Sequence, residues 1–172
     1  MAARLPELAP PPGGYPEPDI PYSDSVWLSH RDRIVSIARS WIGTPYHHQA
    51  SLKAVGCDCF GLVRGVWREL YDDNDPETPP PYSWDWAEAK DEETMLEAAR
   101  RHMLEVSARD AGAGDVMLFR YKEGFNAKHS VVLSGGGRMI HAIQGAPVCE
   151  VHMGDWWLRR AAGAFRFPLE LR

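Results

Sequence analysis

Apolar residues recur at helical spacing in three segments, which predict helices over residues 30–43, 59–71 and 92–106. Ser29 and Asp32 form a capping-box pattern in front of the first helix. The second helix has the clearest apolar face, formed by Val63, Val66, Trp67 and Leu70.

The pattern changes after Gly114 to short runs rich in β-branched and aromatic residues. These runs predict strands at residues 116–119, 130–133, 139–143 and 164–169. The glycine-rich segment 134–137 reads as the turn of a hairpin between the second and third of them. Helices followed by antiparallel strands predict an α+β domain.

Prolines divide the chain into an arm, residues 1–28, and a folded domain, residues 29–172. Seven of the fourteen prolines lie at or before Pro21, and proline fixes φ and removes a hydrogen-bond donor. We therefore expect the arm to be extended. It is either a terminus without a role or a segment that lies along a partner protein through Tyr15 and Tyr22.

Composition and charge exclude several classes of protein. A chain of 172 residues, 44% of them hydrophobic, is long enough for one domain with its own core. The net charge of −5 argues against recognition of nucleic acid or anionic lipid by charge. No apolar run approaches the ~20 residues of a membrane span, and the N-terminal residues lack the apolar stretch of a secretory signal. We expect a protein made in the cytoplasm, without membrane insertion.

The three cysteines, Cys57, Cys59 and Cys149, are too few and odd in number for a disulfide scaffold. Asp58 is a good N-cap residue, which places Cys59 at the start of the second helix. The helix dipole and unpaired N–H groups there predict a pKa below ~8.5 and a nucleophilic thiolate. The same N–H groups can stabilise an oxyanion. Cys57 and Cys149 are expected to be packed side chains.

Two histidines supply a candidate base for this thiol. If Leu133 pairs with Gly137 across the hairpin, His129 lies opposite His141 on the same face of the sheet. One imidazole then orients the other, as in a catalytic triad. Cysteine and two histidines together predict a Cys–His catalytic site.

A zinc site is the alternative use of these residue types. His47, His48, Cys57 and Cys59 supply enough nitrogen and sulfur donors for tetrahedral zinc. Their spacing differs from that of the usual zinc motifs, so we favour a site without metal.

The chain resembles the NlpC/P60 cysteine peptidases over about residues 30–145. It is most similar to the branch found in phage tails and phage-derived gene transfer particles. The resemblance rests on blocks in family order: Gly43-Thr44-Pro45-Tyr46, Asp58-Cys59-Phe60-Gly61-Leu62-Val63, Gly114-Asp115-Val116, His129-Ser130-Val131 and Met139-Ile140-His141-Ala142.

This resemblance implies a papain-like fold and a cofactor-independent cleavage of peptidoglycan stem peptides, often between D-Glu and a diamino acid. It assigns Cys59 as the nucleophile, His129 as the general base and His141 as the residue that orients the base. Tyr46 matches a tyrosine that donates to the oxyanion or contacts substrate. Asp58 matches an acid that in some members also meets a substrate amine.

The chain departs from the family pattern at three places. Between Tyr46 and Cys59 it has His47, His48 and Gln49 where Gly-rich sequence is usual. Phe60 stands where most members have Ser, which changes the wall beside the thiol without removing a triad member. Residues 72–108 have no counterpart in the resemblance, and their Trp84 and Trp86 either line a substrate groove or cover the core.

The phage-tail branch implies a place for the protein as well. We expect it at the tail tip of a phage or phage-like particle, with tail or baseplate hub proteins as partners and the stem peptide as substrate. Release at host lysis is the competing route to the cell wall. Two other interpretations stay open: a structural tail component with little or no peptidase activity, and a related amidase.

Overall fold

The computed structural model of the chain describes residues 23–77 and 93–171. Within these residues the helices and strands confirm the predicted α+β class. None of the described helices is both long and apolar enough to cross a membrane. In chain order the elements are α1 (Asp24–Ser40), β1 (Ser51–Leu52), β2 (Gly56–Cys57), α2 (Cys59–Leu70), α3 (Thr94–His102), β3 (Leu104–Val106), β4 (Asp115–Phe119), β5 (His129–Gly135), β6 (Arg138–His141), β7 (Cys149–His152), α4 (Asp155–Leu158) and β8 (Ala161–Arg166).

Six of the described strands form an antiparallel sheet in the order β3-β8-β4-β5-β6-β7, while β1 and β2 pair separately. Each of the four predicted strands overlaps a strand of this sheet. β7 was missed because its alternating residues include Glu150 and His152, which give a weak apolar pattern at a sheet edge.

Helix α1 begins at Asp24, six residues before the predicted start, so residues 24–28 belong to the helix and not to the arm. No proline follows Pro21 in this region, and Ser23 has the extended backbone of an N-cap residue. Asp24 adds a negative charge in the first turn, where the helix dipole favours it. The rest of the arm, residues 1–22, lies outside the described residues, and its extended form stays a prediction.

The third predicted helix is shorter than expected at its C-terminal end. α3 ends at His102, and Met103 has an extended backbone (φ −123°, ψ 163°). Leu104–Val106 then pair with β8 from Arg166 to Ala164. Backbone pairing with the sheet has therefore overridden the helical pattern that reached Val106. Trp84 and Trp86 lie outside the described residues.

The sheet buries both of its faces, which explains the nearly continuous burial along β4 and β5. On one face, Val116, Leu118 and Val132 pack against α1 and α2 in the larger core cluster. On the other face, Val131 and Met139 pack with the residues around α4.

Two glycines of α2 allow close packing. A Cβ atom at Gly65 would lie 2.1 Å from the ring of Trp41, the C-cap residue of α1. A Cβ atom at Gly61 would lie 1.9 Å from the carbonyl oxygen of Ala50. The first helical turn of α2 is therefore held directly against the loop that precedes it.

Asp115 joins α1 to two strands of the sheet. Its carboxylate is fully buried and accepts a hydrogen bond of 2.6 Å from Arg31 and others of 2.9 and 3.0 Å from Arg166. The N–H of Gly112 donates a further bond of 2.9 Å. Each carboxylate oxygen thus has donors, which compensates for its removal from water.

We predict that Asp115→Ala lowers the free energy of unfolding by about 3–5 kcal/mol, because it leaves two arginines without their buried partner. Urea denaturation measures the loss. Glu105→Ala is the matched control, since it breaks a more exposed ion pair with Arg100 and should cost less than about 1 kcal/mol. Equal losses for the two variants would show that the buried ion pairs of Asp115 do not stabilise the fold more than the exposed pair of Glu105.

Candidate active site

Asp58 fixes the start of α2, as predicted. One carboxylate oxygen accepts a 2.8 Å hydrogen bond from the N–H of Gly61, and the other accepts one of 2.8 Å from the N–H of Gln49. His48 Nδ1 lies 3.8 Å from the second oxygen. Cys59 is therefore the first residue of the helix, with its backbone anchored on both sides.

The Cys59 thiol lies against strand β5, beside the residues that flank His129 in sequence. Its Sγ is 3.8 Å from the carbonyl oxygen of Lys128. The backbone N–H and hydroxyl of Ser130 interact with the sulfur from the other side of His129. The structure thus brings the predicted nucleophile to the start of the strand that carries the predicted base.

The pKa expected for Cys59 was wrong in direction. Burial of the thiol raises its pKa to about 11, with a further contribution from the Asp58 carboxylate. The N–H and hydroxyl of Ser130 and the N–H of Phe60 favour the thiolate and lower the pKa, but by less than burial raises it. Desolvation therefore outweighs the donors at the helix N-terminus, and the resting group is a neutral thiol.

His129 and His141 form the predicted pair, although the register differs from the expected one. β5 and β6 pair Leu133 with Met139, two residues away from the predicted alignment. A bulge in β5 between Leu133 and Gly135, followed by a turn with glycines at positive φ, accounts for the change. A shift of two residues preserves the face, so His129 Nε2 lies 3.1 Å from His141 Nδ1 along a diagonal.

The His129 imidazole is neutral in the resting site. Burial, with a smaller contribution from His141, lowers its pKa to about 3. Burial also lowers the pKa of His141. No hydrogen bond joins the Cys59 thiol to His129 in the part of the chain that the structure describes. The site thus contains a neutral thiol at the start of α2 and a neutral imidazole at the start of β5.

Tyr46 lies beside the same thiol. It forms a β-bridge with Cys57, and burial raises its pKa to about 12, with contributions from Cys59 and Asp58. Its phenol therefore stays protonated and is a hydrogen-bond donor. Asp58 uses both carboxylate oxygens within the fold, so its predicted contact with a substrate amine stays a prediction.

An aromatic group around the histidines was not found from the sequence. Trp157 stacks on His129 with ring centroids 5.0 Å apart and meets His141 edge-on at 5.9 Å. Tyr121 lies 5.9 Å from His129, and Trp156 lies 4.8 Å from Trp157. The only sign of this group in the sequence was the pair of adjacent tryptophans, Trp156 and Trp157. Their spacing did not link them to β5.

The other cysteines differ from Cys59. Cys57 is fully buried, as predicted, and burial raises its pKa to about 12. Cys149 is half-buried on the edge strand β7 and not fully packed as expected, because an edge strand has a neighbour on one side only.

Among the described residues, no three His, Cys, Asp or Glu side chains converge in a way that could hold a metal ion. The donors proposed for zinc are directed elsewhere: His48 lies near Asp58, and His47 faces the His48 carbonyl oxygen at 3.3 Å.

The NlpC/P60 family model matches residues 43–166 of the chain. Among curated proteins, the Gamma-DL-glutamyl hydrolase of Bacillus subtilis (strain 168) is 27% identical over 140 residues, which cover 78% of this chain and 29% of that protein. The chain therefore spans less than a third of that relative's length.

Solved structures share the fold. The NlpC/p60 domain of the peptidoglycan hydrolase SagA is 25% identical with a TM-score of 0.55, covering 80% of this chain and 98% of that one. The peptidoglycan hydrolase RipB of Mycobacterium tuberculosis is 18% identical with a TM-score of 0.55, covering 84% and 68%. An NlpC/P60 family protein of Bacillus cereus is 20% identical with a TM-score of 0.58, covering 80% and 40%.

We predict that acid destabilises the fold through His129. Its pKa is about 3 in the folded chain and about 6.5 in the unfolded chain, so between these values the unfolded chain binds one more proton. The free energy of unfolding therefore falls as the pH falls, by about 2 kcal/mol between neutral pH and about pH 5 from this group.

Urea denaturation at the two pH values measures this loss, and His129→Gln should reduce it. His152→Gln replaces an exposed histidine and should leave the loss unchanged. A His129→Gln variant with the full acid sensitivity would show that His129 is not buried in its neutral form.

Proposed function

The chain belongs to the NlpC/P60 family of cysteine peptidases, and on that premise we propose that it cleaves peptidoglycan stem peptides at a D-Glu–diaminopimelate type of bond. The observation that carries this proposal is the His129–His141 contact of 3.1 Å on the strand that receives the Cys59 thiol. In this arrangement Cys59 is the proposed nucleophile, His129 the base and His141 the group that orients the base.

Proton transfer accompanies attack in the proposed reaction, because the resting thiol and imidazole are both neutral. His129 Nε2 donates to His141 Nδ1, which leaves Nδ1 of His129 to accept the Cys59 proton. The sulfur bonds to the amide carbonyl carbon, and the oxyanion collapses as the C–N bond breaks. The proton on His129 passes to the leaving amine, and a thioester remains.

Water completes the cycle. His129 removes a proton from the water that attacks the thioester carbonyl, and the C–S bond then breaks. The same proton returns to the sulfur and restores the neutral thiol. Backbone N–H groups at the start of α2 and the Tyr46 hydroxyl are the proposed donors to the oxyanion in both steps.

The names of similar proteins support the choice of bond. One relative is a Gamma-DL-glutamyl hydrolase, and the SagA domain comes from a peptidoglycan hydrolase. The first name supports a glutamyl acyl group for the bond that is cut, and the second supports peptidoglycan as the substrate.

The proposed location is the tail tip of a phage or phage-like particle, where hub proteins would hold the enzyme. The resemblance of the motif blocks to the phage-tail branch supports this location. Mass spectrometry of particles purified on a density gradient tests it: the chain should co-purify with tail proteins. Its recovery only in the soluble lysate would favour release at host lysis.

We predict that the purified chain cleaves diaminopimelate-containing muropeptides and that Cys59→Ala abolishes cleavage, because no other group forms the thioester. Mass spectrometry of the products identifies the bond. Cys149→Ala is the matched control and should retain activity, since Cys149 lies on the edge strand β7.

Three results would redirect the assignment. Release of whole stem peptides from the sugar would identify an amidase. No products from the wild-type chain would favour a structural tail component. Identical products from wild type and Cys59→Ala would remove Cys59 as the nucleophile.

A further inference from the structure

Ser130 carries a buried hydroxyl that the mechanism above does not use. The residue is 1% exposed, and within the described residues its Oγ makes no hydrogen bond of ordinary geometry. Leaving a buried hydroxyl unpaired costs about 1–3 kcal/mol. Such a group is expected to gain a partner in at least one state of the protein.

The cavity beside this hydroxyl is lined mainly by apolar side chains, with Arg64, Glu77 and His102 also at its wall. Ser130 follows His129 on β5, so its side chain lies on the opposite face of the sheet, towards α2. There it borders a cavity of about 50 Å³ together with apolar side chains that include Phe60, Val63 and Leu118. The polar group beside it is the Cys59 sulfur, with which both the backbone N–H and the hydroxyl of Ser130 interact.

The charge state of the sulfur decides whether this contact is a hydrogen bond. As a neutral thiol, Cys59 directs its proton to the Lys128 carbonyl oxygen at 3.8 Å. When His129 has taken that proton, the sulfur becomes an anion in a site with little access to water, and it then needs donors. The hydroxyl of Ser130 is already in place and has no competing partner to give up.

We propose that Ser130 is a further catalytic residue, whose hydroxyl donates a hydrogen bond to the Cys59 sulfur as the thiolate forms. The assignment rests on the proposed function, because it gives the hydroxyl a role in the same attack. It also explains how a nucleophile next to the buried Asp58 carboxylate can be ionised at all: donors on the sulfur oppose the neighbouring negative charge.

Alkylation of Cys59 by iodoacetamide tests this role without depending on cleavage. Tandem mass spectrometry separates modification at Cys59 from modification at Cys57, and the rate is followed as a function of pH. Ser130→Ala should slow alkylation at a given pH about three- to tenfold. A thiol pKa raised by about one unit lowers the thiolate fraction tenfold, while the more basic thiolate is somewhat more reactive.

Two variants separate this effect from a structural one. Ser130→Thr keeps the hydroxyl, and the cavity beside it has room for the added methyl group, so it should alkylate within about twofold of wild type. Ser134→Ala removes a hydroxyl from the same strand, where it donates to Glu150 at 2.7 Å, and should alkylate like wild type. Thermal unfolding should show no loss of stability in Ser130→Ala, because the hydroxyl it removes is unpaired.

The outcomes distinguish this inference from the proposed function. Unchanged alkylation in Ser130→Ala would overturn the role of Ser130, and muropeptide cleavage by the wild type would still stand. Slower alkylation in Ser130→Ala, restored by Ser130→Thr, would support the role even if the wild type cleaved no muropeptide. Equal slowing in Ser134→Ala would also overturn it, since the effect would then belong to the strand and not to this hydroxyl.

Discussion

The geometry of the site depends on one carboxylate. Asp58 caps α2 through Gly61 and holds the preceding loop through Gln49, with hydrogen bonds of 2.8 Å in both directions. The absence of a side chain at Gly61 lets the loop carbonyl of Ala50 reach the first turn of the helix. Cys59 therefore has little freedom in its backbone, and the sulfur meets β5 where His129 begins the strand.

Burial determines the chemistry of this arrangement. A thiol with a pKa of about 11 and an imidazole with a pKa of about 3 rest as a neutral pair. In the proposed mechanism, ionisation is therefore confined to the moment of attack, when the proton moves to His129. The two proposed donors, the phenol of Tyr46 and the hydroxyl of Ser130, are suited to that moment because they are already fixed in the site and need no solvent to reorganise around the new charge.

The sheet supplies the rigidity that such a site requires. Asp115 joins β4 and β8 to α1 through two arginines, and packing on both faces of the sheet keeps β5 and β6 in register. Trp157 stacks on the His129 ring, on the face of the sheet opposite α2, and limits the orientations of that ring. These contacts come from segments distant in sequence, so the His129 side chain is positioned by the assembled domain and not by its own strand.

The sequence determined the features that depend on nearby residues. The start of α2, its Asp58 cap and the shared face of His129 and His141 follow from side-chain type and from an even separation along two strands. Tertiary structure decided the rest. The register of the hairpin moved by two residues with the turn, and the Cys59 pKa rose because burial outweighed the helix N-terminus. Burial and long-range packing depend on which segments meet, and a local pattern contains no information about those distances.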